Sequence, residues 1–513
     1  MVKRVAFNKR AILPLVFFLS SCYLVLLVSS TQKDIFFSGD GGMKYVVIQQ
    51  LQRGEGFKYL HLGQPKWVMD IWSNGYFPLK KPFVYSSPGG YLFSFPPFFQ
   101  LLSSFFYLKL GYWGLYVIPL VSALSLWLLF IGVLKRCGLT SENVAVALGI
   151  LVFGTPLTLY GAIYWEHMPA VLLLFGGAAL ILDPRPRPAG AVLAGLACGT
   201  ALWLRPESFV MDFLYGMAAL VLFRNRRLIA YPAFALAMIP PMAAFLVFNK
   251  VNYGSLMGVH SYQVLQEHSF LFKIAKGFFE LFLINWTAFI YFPFMILLLP
   301  ALYKMWKRQW LAGLPVTLLI LVTAAFCLLS PFLMPNSGGR QWGARYFLPV
   351  LPMLAAAGAL VYRELVLTDR LRAPRWVAGL LLAGLVYSVL LNTVGGGLFS
   401  LRDSNYNRVK PAFDFVKQQQ EKVILVNSEN IPMEMAVLFD RHYFFLAPAD
   451  TSFQRLMPLL KGQGVREFLY ISQEVGAPGL PNEVSAPRLP NLLNADTGLL
   501  KKGNYYFGKY MIP

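Results

Sequence analysis

Residues 114–162 read GLYVIPLVSALSLWLLFIGVLKRCGLTSENVAVALGILVFGTPLTLYGA. Two apolar runs, near 114–134 and 144–162, flank the basic pair Lys135-Arg136. Each run is about 20 residues long, enough for a helix to cross a hydrocarbon core of about 30 Å. A basic cluster between two such runs marks the cytoplasmic side of a helical hairpin. The alternation continues in both directions. Basic clusters recur at Lys3/Arg4/Lys9/Arg10, Arg185/Arg187, Arg224/Arg226/Arg227, Lys304/Lys307/Arg308 and Arg363/Arg370/Arg372/Arg375. Between consecutive clusters the chain must cross an even number of times, and each interval after the first holds two apolar runs. This places spans near 11–30, 114–134, 144–162, 168–182, 189–204, 208–223, 229–248, 283–302, 311–332, 347–362 and 376–395. The expected fold class is a polytopic α-helical membrane protein with about 11 transmembrane helices. Its N-terminus lies inside and its C-terminus outside.

Composition agrees. Of 513 residues, 57% are hydrophobic and 13% charged, with mean hydropathy +0.54; soluble domains carry about 25% charge. The net charge of +21 does not indicate nucleic acid, because the basic residues sit between apolar runs as topology signals. Cys22, Cys137, Cys198 and Cys327 have neither disulfide-framework nor metal spacing. Leu19-Ser20-Ser21-Cys22 looks like a lipoprotein cleavage box, but the apolar run continues past it to Val28. An uncleaved first span is therefore expected. There is no Walker loop, dinucleotide fingerprint or nucleophile elbow.

Two regions depart from this pattern. The first external loop, 31–112, is rich in Gly, Pro and aromatic residues. Its later part, Tyr91 to Leu110, is apolar but interrupted by Pro96-Pro97, and reads as a helix on the membrane surface. Residues 1–399 thus form one expected module, including this loop. After about residue 400 the chain turns polar. Val423–Val426 and Phe468–Ile471 read as buried strands, Pro432–Phe439 as a helix, and Gly476–Asn494 as loop. Residues 400–513 are expected to be a small extracytoplasmic α/β domain.

The external ends collect the unusual residues, and ionisable groups at membrane depth default to a functional hypothesis. Asp40 lies in FFSGDGGMKY, residues 36–45, at the start of a helix-spaced segment that also carries Lys44. The glycines around it permit close approach or tight turns; a plain helix cap is the bland alternative. Glu166-His167 follows Tyr164-Trp165 in a short external turn, where an aromatic belt is the alternative. Arg205-Pro206-Glu207 ends the fifth span, because the residue before proline is disfavoured in helix. It is either part of a site or an ion pair fixing the hairpin. Arg340 and Arg345, in SGGRQWGARY at 337–346 with Tyr346, suit a phosphate or diphosphate at the membrane surface, or interfacial anchoring. His260 lies in the external loop after the seventh span, with Glu267 and His268, without metal-site spacing.

This layout resembles the GT-C class of membrane glycosyltransferases, which includes the protein O-mannosyltransferases and the aminoarabinose transferase of lipid A. The resemblance rests on Asp40 opening the first loop in GDGGMKY, the Pro/aromatic stretch at 85–111, Glu166 in the next turn, and GGRQWGARYFLPVLP before a late span. The polar C-terminal domain also fits. Many relatives have two adjacent acids in the first loop, where Gly41 follows Asp40 here. The aminoarabinose transferases carry a Lys-Pro pair near the surface helix, where Ser87-Pro88 stands here, with Lys80 and Lys81 upstream.

The resemblance implies a glycosyltransferase that moves a sugar from a polyprenyl-phosphate donor to a lipid, glycan or protein hydroxyl. Asp40 would be the catalytic carboxylate. Glu166 would help shape the site, and Arg340 or Arg345 would meet the lipid phosphate; beyond the resemblance, Lys44, His167, Arg205, Glu207, His260 and Tyr346 are the further candidate substrate-binding residues. The resemblance fixes no cofactor and leaves a divalent metal open. The partners are the donor, the acceptor and membrane lipids. A bacterial cytoplasmic membrane is expected, with the active site facing outward. A transporter or flippase of lipid-linked sugars would instead place charges mid-span. A glycan polymerase or ligase would share the donor type.

Overall fold

The computed structural model describes residues 11–81, 83–181, 187–222, 229–259, 275, 290–293, 313–333, 342–362, 375–448, 450–473 and 500–512. The chain divides into two units. One comprises residues 1–29 and 116–399, the other 30–115 and 400–513.

Among the described residues, the first unit is built of apolar helices. They are Ile12–Ser29, Val117–Arg136, Ser141–Phe153, Leu157–Ala162, His167–Ile181, Pro188–Leu204, Ser208–Leu222, Ala230–Tyr253, Gly313–Leu333, Leu351–Tyr362 and Arg375–Val389. Among the described residues, four helical runs are long and apolar enough to cross a membrane: Ile12–Ser29, Phe98–Arg136, Ala230–Tyr253 and Leu382–Ser400. The expected span near 283–302 falls almost wholly outside the described residues, as do most of the later basic clusters. Large apolar side chains such as Leu128, Leu193, Phe213, Leu236, Val251 and Leu382 are exposed on these helices. Outward-facing apolar surface of that extent suits lipid rather than water.

Local chemistry sets the helix ends. Thr140 caps Ser141–Phe153 by accepting from Asn143 N at 3.3 Å. The run expected as one span at 144–162 breaks at Gly154-Thr155-Pro156 and resumes at Leu157. Pro156 supplies no amide hydrogen, and Thr155 Oγ1 bridges the gap by donating to Leu151 O and accepting from Leu157 N. Helices Pro188–Leu204 and Ala230–Tyr253 pack through Gly195 and Gly199. A Cβ on Gly195 would overlap the carbonyl of Phe234, and one on Gly199 would stand 2.6 Å from that of Met238. This is the small-xxx-small contact that replaces hydrophobic driving force in lipid.

The second unit holds one continuous core shared by the first loop and the C-terminal segment. Ile35, Met43, Val47, Val68, Trp72 and Phe93 pack with Ile424, Met433, Phe444 and Ile471. The sequence reading grouped the loop with the spans; by contact it folds with the C-terminal segment. Trp72 Nε1 donates to Phe444 O at 2.9 Å, and Gln64 Nε2 donates to Phe439 O. Within the loop, β1 (Val84–Ser87) and β2 (Gly90–Phe93) form an antiparallel hairpin. The surface helix expected over Tyr91–Leu110 is therefore shorter, Phe98–Leu110, because Tyr91–Phe93 pairs as strand and Pro97 sits at the helix N-cap. Its exposed face carries Leu101, Leu102, Phe105 and Leu108.

The C-terminal segment adds β3 (Val423–Val426), β4 (Tyr443–Leu446), β5 (Glu467–Gln473), β6 (Leu500–Lys502) and β7 (Tyr505–Met511). The sheet order is β4-β3-β5-β7-β6, with β3, β4 and β5 parallel. β3 is buried along its length, as the all-apolar run Val423–Val426 requires of a central parallel strand. The helix expected over Pro432–Phe439 is two pieces, Asn430–Glu434 and a 3₁₀ turn Ala436–Asp440. The loop expected at Gly476–Asn494 lies outside the described residues.

This unit carries an acid-sensitive group. His442 is buried and its Nδ1 lies 2.9 Å from the carbonyl oxygen of Glu421. Burial, chiefly, holds its imidazole below the ordinary value of 6.5. The unfolded chain thus takes up this proton at higher pH than the folded one. The contribution to stability is full above about pH 6.5 and is lost as pH falls through the folded value. Thermal unfolding should show lower stability at pH 5.5 than at 7.5, with a smaller difference in His442→Gln. An equal difference in both proteins would remove His442 as the cause.

Candidate active site

In the helical unit, an extended Ile163 ends one short helix, and Trp165 N donates back to its carbonyl at 2.9 Å. The turn places Glu166 and His167 at the start of the next helix, both buried. Tyr160, Trp165 and His167 pack as a ring cluster, with centroids 5.0–5.4 Å apart. Arg205, at the C-cap of Pro188–Leu204, reaches into the same region. Its Nη1 donates to Glu166 Oε1 at 2.9 Å, and its other nitrogens pair with Glu207. The Arg205 and Glu166 side chains are 11% and 4% exposed. The desolvation cost of so buried a charge is offset only by such pairing.

Arg345 completes the group. Its guanidinium carbon lies 5.6 Å from the Trp165 ring centroid and 5.4 Å from that of Tyr346, a cation–π arrangement. Its positive charge is near enough to act on Arg205. Arg345 opens the 3₁₀ stretch Arg345–Val350, which precedes the helix Leu351–Tyr362. The backbone just before it is pinned: Tyr160 Oη donates to Trp342 O at 3.1 Å, and Trp342 Nε1 donates to Asn392 Oδ1 at 3.3 Å. Asn392 Nδ2 in turn donates to the carbonyls of Gly154, Tyr291 and Ser388. Buried amides of this kind tie membrane helices together. Two arginines and two carboxylates thus meet against an aromatic wall. Arg205 contacts both acids, and Arg345 is a flat, ring-stacked cation.

In the other unit, Asp40 sits half-buried in the first turn of the helix Gly39–Gln52, where the helix dipole favours a carboxylate. Lys44 follows one turn later, buried, with Nζ 4.9 Å from the centroid of Phe95. The glycines flanking Asp40 are helical and meet protein: Gly39 and Gly42 press on Met433, and Gly41 on Phe36. They do not form a tight turn.

Six expected site residues are therefore grouped in the helical unit: Glu166, His167, Arg205, Glu207, Arg345 and Tyr346. Asp40 and Lys44 lie together on the loop helix. His260 and Arg340 lie outside the described residues. Sequence reading missed Tyr160, Asn392 and Met433. An aromatic six residues before Glu166 was a weak signal for Tyr160; nothing local marked the other two. Among the described residues, no three His, Cys, Asp or Glu side chains are grouped as metal ligands.

No family model matches the chain, and no curated protein sequence matches it. Among solved structures the likeness is one of fold, to a membrane protein named ArnT. The crystal structure of ArnT from Cupriavidus metallidurans in the apo state aligns over 98% of this chain and 97% of its own, at TM-score 0.50 and 14% identity. The structure of the same protein bound to undecaprenyl phosphate aligns over the same shares, at TM-score 0.49 and 14% identity. The chain thus shares the ArnT-type fold.

Proposed function

We propose that this protein transfers a sugar from a polyprenyl-phosphate-linked donor to an acceptor hydroxyl at the outer face of a bacterial cytoplasmic membrane. The observation that carries the reading is the GT-C fold shared with ArnT over 98% of the chain. The buried Arg205–Glu166–Glu207 group beside Arg345 supports it.

An acceptor hydroxyl is a poor nucleophile at neutral pH. In this reading the Asp40 carboxylate takes its proton as the oxygen attacks the anomeric carbon. The bond from that carbon to the donor phosphate oxygen breaks, and the polyprenyl phosphate leaves with the electron pair. Direct displacement inverts the sugar and needs no covalent enzyme intermediate. Arg340 or Arg345 stabilises the charge that builds on the leaving phosphate. Arg205 is assigned a different task, holding Glu166 and Glu207 in place. His167, His260 and Tyr346 line the substrate site, and residues 400–513 belong to the external side. A membrane location suits a substrate whose tail is a long hydrocarbon.

The test is transfer of labelled sugar by the purified protein in lipid, across a panel of polyprenyl-phosphate donors. Release of polyprenyl phosphate with a matching glycosylated product supports the reading. Protein that is folded and binds a donor, yet moves it across a vesicle bilayer without cleaving it, would establish a flippase instead.

A further inference from the structure

The glycines around Asp40 have a structural partner far along the chain. β3 is followed at its carboxyl end by the helix Asn430–Glu434, the edge where open α/β sheets seat ligands. Here that segment packs against the helix Gly39–Gln52. A Cβ on Gly42 would overlap the backbone carbonyl oxygen of Met433 and stand 3.2 Å from Ala436 Cβ. A Cβ on Gly39 would stand 3.0 Å from both Met433 Cβ and Met433 Cε. Met433 and Ala436 are 2% and 0% exposed, so the surface that the glycines meet is itself fixed in the core. The segment is further held by Glu434, which accepts a hydrogen bond from Tyr505 Oη on β7.

We propose that Met433 is a positioning residue for Asp40: the C-terminal sheet domain sets the depth at which the Asp40 helix seats, through contact with Gly39 and Gly42. The proposal rests on the reading of Asp40 as the base. Both glycines lie in a helix interior or first turn, where alanine is intrinsically favoured by about 1 kcal/mol. Alanine there leaves the helix intact and displaces it as a body. Misplacement of a catalytic group by about 1 Å can cost about 100-fold in rate.

The experiment compares steady-state sugar transfer by full-length Asp40→Asn, Gly39→Ala, Gly42→Ala, Met433→Ala and Gly39→Ala/Met433→Ala, with donor binding measured on each. Gly39→Ala is included because its methyl, 3.0 Å from Met433 Cβ and Cε, asks for only a small shift, so the protein should fold even where Gly42→Ala, whose methyl overlaps a backbone carbonyl, does not. Expected is a fall in kcat of several-fold to about 10-fold in Gly39→Ala, with donor affinity within about twofold of wild type, and partial recovery when Met433→Ala removes the opposing thioether but keeps its Cβ. A merely structural defect would lower donor binding and activity together and would not be rescued. Asp40→Asn inactive but Gly39→Ala and Gly42→Ala fully active would overturn the positioning role alone. Asp40→Asn fully active would remove the base assignment on which it rests.

Discussion

Asp40→Asn is expected to lower sugar transfer by at least about 100-fold, the smaller end of what a positioned general base contributes. The substitution keeps the shape of the side chain and removes the proton-accepting charge. The structural cost is small. Asp40 is half-buried in a helix first turn, where losing a negative charge costs about 0.3–1 kcal/mol. Melting behaviour and donor binding should therefore stay near wild type while kcat collapses. Turnover within a few-fold of wild type by well-folded Asp40→Asn would refute its role as base.

Arg205→Met should produce the largest loss of stability. It removes the cation that Glu166, 4% exposed, and Glu207, 18% exposed, both contact. Breaking a buried pair from one side typically costs about 3–5 kcal/mol. Adding Glu166→Gln and Glu207→Gln to Arg205→Met removes the carboxylate charges and should recover much of the loss. Unfolding in detergent micelles would show both changes. A single Arg205→Met variant as stable as wild type would mean that the pair is not structural, and would favour the reading of Arg205 as part of the substrate site.

The sequence reading located the cluster without its wiring. Arg205 was visible because Pro206 ends the preceding helix, and Glu166 because a carboxylate beside an aromatic turn is unusual at the membrane edge. That the two meet, 39 positions apart in sequence, depends on how neighbouring helices pack. The glycines at 39–42 show the same limit. They were assigned to close approach of a substrate or to tight turns; close approach is what they provide, but to Met433. Helical periodicity in Met43–Arg53 placed the helix start correctly, whereas the partner lay in a segment nearly four hundred residues away.

The bilayer writes its demand locally. Each crossing helix must satisfy its own backbone and expose apolar side chains over about 20 residues, so helix positions, the polar C-terminal segment and the buried strand Val423–Val426 follow from the sequence by itself. Lipid does not specify which helix lies beside which, because lipid and leucine are equally apolar. Pairings such as Arg205 with Glu166, Arg345 over Trp165, Asn392 with Trp342, and Met433 under Gly39 and Gly42 are decided by small-residue contacts, buried hydrogen bonds and charge pairing that exist only once the chain has folded. The tertiary structure alone also decided that the first loop shares its core with the C-terminal sheet, since that core joins apolar residues distant in sequence, such as Trp72 and Phe444, 372 positions apart.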